Sequence, residues 1–314
     1  TAYEIMPSLV GSEMCIRDRR YKSIIIKLFV ISGLIFAQGK KIYISADLEG
    51  VVGAVTGEQL GPGGFEYNRF REFMTGEVNA AIQAARAAGA TEILVADSHG
   101  NGQNLLIEKL PKDIKVIRSW PRPLGMMEGI DRSFDGVIFT GYHTSTDNLK
   151  GVRAHTFSSA RITSVKVNGK VMSEGSWNAA IAGEFGVPVI VVAGDDAAVD
   201  EVISLIGNAE GAVVKESISF HSAKSLHPEA AYDLIAEKTS IAVKNIKKYK
   251  PYKIKGPVTV SVSFKHYQPS QILSYVKMFK RTDSHTIEYK AKDMIEASYI
   301  MRMLTSYKGG STSP

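Results

Sequence analysis

Residues 41–50 read KIYISADLEG. The first six alternate as a strand does, with β-branched or aromatic side chains at Ile42, Tyr43 and Ile44, and the run then ends in Asp47 and Glu49. The same grammar recurs twice: EILVA (92–96) runs into Asp97-Ser98-His99, and GVIFTGY (136–142) runs into His143. In a parallel α/β sheet the carboxyl ends of the strands share one edge, and ligands bind in the crevice outside it. Residues about 100 positions apart in sequence can therefore meet at one site.

The segments between these runs supply the crossovers that a parallel sheet needs. Glu66 to Ala88 carries Phe70, Phe73, Met74, Val78, Ala81, Ile82 and Ala85 at spacings of three and four, which predicts a helix closed by Gly89. VKVNGKVM (165–172) centres on Asn168-Gly169, a two-residue hairpin signal. Glu174 follows it at the start of a predicted helix, and Val187 to Ala193 is an apolar run typical of a strand buried on both faces, ending in Gly194-Asp195-Asp196. From about Ile206 the pattern changes: strands are expected at 212–218, 258–264 and 286–289, and helices at 228–249 and 293–306. The expected fold is α/β, a mostly parallel sheet with flanking helices over residues 39–206 and the functional site at the strand carboxyl ends, followed by a smaller α+β domain over 207–308. The tail, 309–314, is expected to be disordered.

Composition is that of an ordinary globular protein, 44% hydrophobic and 22% charged. The net charge is +6, but residues 1–37 hold five basic and three acidic residues, so +4 remains beyond them, too dispersed to argue for a nucleic-acid partner. Residues 21–38 place a basic flank before an apolar stretch, Ile24 to Phe36, and a small residue, Ala37. This is the layout of a secretory signal peptide, and a stretch interrupted by Lys27 falls short of the roughly 20 residues that span a bilayer. The expected location is periplasmic or secreted, with no stable membrane span after cleavage. Residues 1–20 show no helical or strand period, resemble a translated adapter scar and are set aside. They contain the one cysteine, Cys15, so the chain beyond them offers neither disulfides nor thiolate ligands.

Asp47 and Glu49 are two apart, so extended backbone would point both carboxylates to one side, where they can share a cation. Alone, a D-x-E is most simply a polar exit from a strand, and each histidine a surface or structural residue. Together with His99 and His143 at equivalent strand ends, imidazole plus carboxylate without thiolate is the ligand chemistry of hydrolytic zinc, manganese or cobalt sites. His155 lies nearby in GVRAHTFSS, and an imidazole there suits proton shuttling or oxyanion contact. Glu174 is a third candidate carboxylate. His221, His227, His266 and His285 lie away from strand ends and receive no metal role. A competing reading is a phosphohydrolase with Asp47 as nucleophile, since Asp47-Leu48-Glu49-Gly50 and Gly194-Asp195-Asp196 imitate the acidic motifs of the haloacid-dehalogenase type. That chemistry has no use for histidines at two further strand ends. A catalytically silent peptide-binding protein is the third reading.

With these residues in view, the chain resembles the zinc-dependent D-aminopeptidase family. The resemblance runs from about Lys41 to Tyr307 and is carried by SADLEG (45–50), ADSHG (96–100), GYH (141–143), AHTF (154–157), SEGSWN (173–178) and VAGDD (192–196). It implies an enzyme that removes N-terminal D-amino acids from short peptides; an exported version would meet peptidoglycan-derived peptides rich in D-alanine, and metal-bound water is the physically preferred nucleophile. It also implies a two-zinc centre in which Asp47 bridges, Glu49 and His143 complete one ion's set, and His99 and Glu174 the other. His155 matches the family's catalytic position, described there as a nucleophile; acid/base work or transition-state stabilisation suffices physically. Assembly into a ring-shaped homodecamer is implied as well. The export segment departs from the cytosolic members of the family.

Overall fold

The computed structural model describes residues 39–307; the expected export segment, the segment before it and the tail lie outside the described residues. The first half runs β1 (Lys40–Ala46), α1 (Tyr67–Ala87), β2 (Ala90–Asp97), β3 (Lys115–Ile117), β4 (Gly136–Tyr142), β5 (Ile162–Val167), β6 (Lys170–Val171) and α2 (Glu174–Glu184). The second runs β7 (Val189–Asp195), α3 (Asp196–Ile206), β8 (Glu210–Ser219), β9 (Ser222–Ser225), α4 (Pro228–Lys244), β10 (Val258–Phe264), α5 (Tyr267–Leu273), β11 (Lys280–Arg281), β12 (Thr286–Ala291) and α6 (Met294–Ser306).

Two sheets result. One has the order β3-β2-β1-β4-β7-β8-β9, parallel except for the β8–β9 pair, and the other is the antiparallel order β11-β12-β10-β5-β6. Because side chains alternate along a strand, Ile42 and Ile44 of β1 join a core with Phe70, Met74 and Val78 of α1 and with Ile235 and Val243 of α4. Tyr43 faces the opposite core, shared with Phe139, Trp177 of α2, and Val165, Val260 and Ile287 of the second sheet. The parallel sheet is thus covered by helices on one side and by a helix and a second sheet on the other.

The expected boundary near 207 does not follow this architecture. β8 extends the first sheet through Ala193–Ala212 and Gly194–Val213 pairs, and α4 packs on its α1 face. Conversely, β5 and β6, from the first half of the sequence, complete the second sheet through Val165–Val262 and Val167–Val260 pairs. The physical reason is that β8 buries Ala212 and Val214 against the parallel sheet, while the inward face of β10 needs β5 as its partner. Strand and helix positions agree closely with expectation; α3 and α5 arise where no element was assigned. Among the described residues no helix is long and apolar enough to cross a membrane.

The sheet reverses its strand order between β1 and β4, the switch point at which ligands bind. There Ala46 lies level with Asp97 on one side and Thr140 on the other, so the three exits emerge together. Asp47 N–H donates to Thr140 O (2.9 Å), and Gly50 N–H to Gly141 O (2.7 Å). Gly141 has φ +69°, and a Cβ there would overlap the Asp47 carbonyl oxygen. Adding the left-handed backbone cost, about 1–2 kcal/mol, to overpacking, about 1–3 kcal/mol, Gly141→Ala is expected to lower unfolding free energy by roughly 2–5 kcal/mol in denaturant titration. A change below about 0.5 kcal/mol, the scale of a neutral surface substitution, would contradict this close approach.

Candidate metal centre and active site

Six side chains from five segments converge. Asp47 and Glu49 follow β1, His99 follows β2, His143 follows β4, His155 sits in the loop before β5, and Glu174 opens α2 behind the N-cap Ser173, whose hydroxyl accepts from Ser176 N–H (3.2 Å). His143 is 1% exposed and Asp47 2%. His99 Nδ1 lies 2.7 Å from Glu49 Oε2 and 3.2 Å from Asp47 Oδ1. His143 Nε2 lies 3.4 Å from Asp47 Oδ2 and 3.5 Å from Glu174 Oε1. His155 Nε2 lies 3.7 Å from Glu174 Oε1 and 3.9 Å from Glu49 Oε1.

The three imidazoles are oriented alike. Each donates its outward ring N–H to a backbone carbonyl: His99 Nε2 to Leu60 (2.7 Å), His143 Nδ1 to Thr144 (2.9 Å) and His155 Nδ1 to Arg153 (2.8 Å). A carbonyl can only accept, so the tautomer is set and the inward nitrogen is left for the carboxylates or a ligand. Metal-binding histidines are held in this way. The His143 and His155 rings stack at 4.0 Å.

Charge in the cluster is strongly redistributed. Burial alone pushes Glu49 up, yet His99, His155 and His143 hold it well below the usual carboxylate range; Glu174 is lowered likewise against its own burial, by His143 and His155. Burial pulls down His99 and His143, but the carboxylates beside them, Glu49 and Asp47 for one and Asp47 and Glu174 for the other, raise both well above the ordinary imidazole value. Asp47, buried and beside Glu49, is raised. His155 is lowered, by burial and by His143, and so is neutral with a free Nε2 lone pair. Three buried carboxylates thus draw positive charge into their midst. A divalent cation bound there would supply it.

The residues fit a metal. Asp47 Oδ2 and His143 Nε2 are buried and without a hydrogen-bond partner, an unusual cost for polar atoms. Asp47, Glu49 and His143 offer ligand atoms within 4.8 Å of one another, as do His143, His155 and Glu174. His99 belongs to neither triplet but abuts both carboxylates of the first. Asp195, by contrast, is the N-cap of α3, accepting from Ala198 N–H (2.8 Å) and Val152 N–H (3.3 Å). With that carboxylate engaged, the phosphohydrolase reading loses its second acidic motif.

Several supporting residues carried no role in the sequence. Lys215 on β8 donates to the carbonyls of Glu49 (2.6 Å), Val51 (3.0 Å) and Ala54 (2.6 Å), fixing the β1 exit loop, and its burial pushes it down to about 8. A lysine within the apolar run AVVKESI (212–218) was the available signal. Asp97 accepts from Asn104 N–H (2.6 Å), Leu105 N–H (2.7 Å) and Asn104 Nδ2 (2.7 Å), while Asn104 also donates to the His99 carbonyl (2.7 Å). The cluster opens into a cavity of about 580 Å³ walled by Trp120, Met126, Phe157, Arg161 and Arg302; of these only Phe157, the end of AHTF, lies in a motif read from the sequence.

Comparison with known proteins identifies the family. The peptidase M55 family model, described as D-aminopeptidase, matches residues 40–303. A D-aminopeptidase of Bacillus subtilis (strain 168) is 36% identical over 266 residues, 84% of this chain and 96% of that protein. Among solved structures, the zinc-dependent D-aminopeptidase DppA from Bacillus subtilis, described as a self-compartmentalizing protease, matches with a TM-score of 0.81 and 35% identity, over 84% of this chain and 96% of that one.

Asp97→Asn replaces one of the two accepting oxygens with an NH2 donor that faces N–H donors, and so loosens the His99 loop. It is expected to cost about 1–3 kcal/mol of stability and roughly 10- to 100-fold in zinc affinity, read by denaturation and by competition titration with a chromophoric chelator. Unchanged affinity would show that the loop does not position His99.

Proposed function

Because the chain belongs to the D-aminopeptidase family of metallopeptidases, we propose that it hydrolyses N-terminal D-amino acids from short peptides at a two-zinc centre held by Asp47, Glu49, His99, His143 and Glu174. The observation that carries the reading is the set of inward-facing donors whose outward partners are already engaged. Asp47 presents one carboxylate oxygen to His99 and the other to His143, which suits it to bridge. The distances favour Glu49 with His99 (2.7 Å apart) for one ion and His143 with Glu174 (3.5 Å) for the other, in place of the pairing that the resemblance implied. Two zinc ions bound there polarise the scissile carbonyl and lower the pKa of water; manganese or cobalt would serve the same donors.

The chain's own residues do the rest. His155 carries out acid/base work: its Nδ1–H, fixed on Arg153 O, leaves Nε2 to take a proton at the reacting centre and return it to the leaving amine. Phe157 N–H donates to Glu174 Oε1 (2.8 Å) and keeps that carboxylate turned inward. Phe157 sits at φ +59°, a left-handed conformation tolerated where surrounding contacts over-determine it, as at functional sites. The walls of Trp120, Met126 and Phe157 exclude water from the peptide. The α2 N-terminus places positive dipole ends beside Glu174 and favours its charged form.

Two further readings belong to this proposal. Residues 21–38 direct the enzyme to the periplasm or outside the cell, where D-Ala-containing cell-wall peptides are available. A ring-shaped homo-oligomer, a homodecamer in the family's form, encloses the sites; the relative's self-compartmentalizing character supports it, as do exposed Tyr267, Ile272, Tyr275, Val276 and Met278.

Exhaustive chelation is expected to abolish D-Ala-D-Ala hydrolysis and added zinc to restore it. His155→Ala is expected to lower kcat by roughly 10²- to 10⁴-fold with zinc content unchanged. Full activity after metal removal would sink the proposal.

A further inference from the structure

Arg302, on α6, lies far in sequence from every motif of the site, yet its guanidinium lines the same cavity as Asp47, His99 and Glu174. Its Cζ sits 5.5 Å from the Trp120 ring centroid and 5.3 Å from that of Phe157. Its Nε lies over Gly125, where a Cβ would come within 3.4 Å. Both aromatic walls are tied to the catalytic cluster: Trp120 Nε1 donates to Gly100 O (2.8 Å), beside His99, and Phe157 N–H donates to Glu174.

The neighbouring arginines are engaged. Arg122 donates to Ser119 O and Asp97 O, and Arg161 Nη2 donates to Thr305 O (2.6 Å). Arg302 makes no hydrogen bond and no salt bridge among the described residues; its closest partners are aromatic faces, and burial works against its charge with Glu174 as the opposing influence. A guanidinium is always charged and carries five donors in a planar fork matched to carboxylate. Set beside two aromatic rings, in a cavity shared with the carboxylate cluster and the already engaged Arg161, it is an anion seat whose ligand has to come from outside.

We propose that Arg302 is the subsite for a peptide carboxylate, so that the enzyme reads a short peptide at both ends, its amino end at the carboxylate cluster and its acidic end at the guanidinium. This rests on the aminopeptidase reading for the placement of the peptide. It makes free-acid peptides the preferred substrates over amide-capped ones. The carboxylate is either the C-terminal one or that of an acidic side chain, and the seat recognises the same fork-on-carboxylate geometry in both.

The test is calorimetric titration of zinc-loaded His155→Ala protein with D-Ala-D-Ala, its C-terminal amide, and the α-amide of D-Ala-D-Glu, whose only free carboxylate is in the side chain. D-Ala-D-Ala is expected to bind roughly 10- to 100-fold more tightly than its amide. The gap is expected to close to within about threefold when Arg302→Met is added. Arg302→Lys, which keeps charge and stem, is expected to retain part of it, so the outcome does not hang on the Met variant folding. D-Ala-D-Glu amide binding as tightly as D-Ala-D-Ala would assign the seat to either carboxylate; weak binding would restrict it to the C-terminus. Equal affinities with Arg302 intact, a gap that survives Arg302→Met, or no binding of any peptide would overturn the proposal. Absence of D-Ala-D-Ala turnover by wild-type protein counts instead against the aminopeptidase reading, because the titration reads binding without hydrolysis.

Discussion

Three carboxylates buried within a few ångströms of one another cannot all stay ionised without positive charge between them, because burial removes the solvent that would otherwise screen their repulsion. Much of the site follows from this constraint. His99 and His143 are pushed towards their protonated forms while Glu49 and Glu174 are held charged. The outward nitrogens are already occupied by the Leu60 and Thr144 carbonyls, so compensation has to enter at the inward face. His155 is held down by its burial and by the neighbouring charge of His143, and is left as the group able to move a proton.

The scaffold meets the constraint through register. β1, β2 and β4 end level, and the carbonyl of Asp47 passes so close to Gly141 that a side chain there would collide with it. Lys215, reaching from β8 to three carbonyls of the Glu49–Ala54 loop, is itself a buried cation within the same electrostatic unit as Glu77 and Asp195. Glu77 accepts from Val52 N–H (2.9 Å), and burial pushes it up to about 7. The outer polar groups thus fix the backbone from which the inner ones project.

Much of this was legible in the sequence because parallel strands announce themselves as short apolar runs and their exits as the first polar residues. Asp47, Glu49, His99 and His143 are found that way, and Glu174 by its place after the Asn168-Gly169 hairpin, whose residues adopt φ +50° and +81°. Most of the site's outer wall was not legible. Trp120 and Arg302 belong to a loop and a helix whose local patterns are ordinary, and only tertiary packing brings them to the cluster, whereas Phe157 follows His155 within AHTF. The division of the chain was misread for a related reason. Strands β5 and β8 look alike in sequence, and nothing local states which sheet will take them; pairing with β10 and β7 decides it.

The central claim is that five ligands from three strand ends and a helix start hold two cations, not one and not protons alone. Elemental analysis of the purified protein, alongside an Asp47→Asn variant, tests it directly. The account predicts close to two zinc equivalents per chain, as a shared two-metal ligand set requires, and loss of both in Asp47→Asn because one carboxylate serves both ions. Metal-free protein that is fully active, or an Asp47→Asn variant that keeps its full zinc complement, would contradict it.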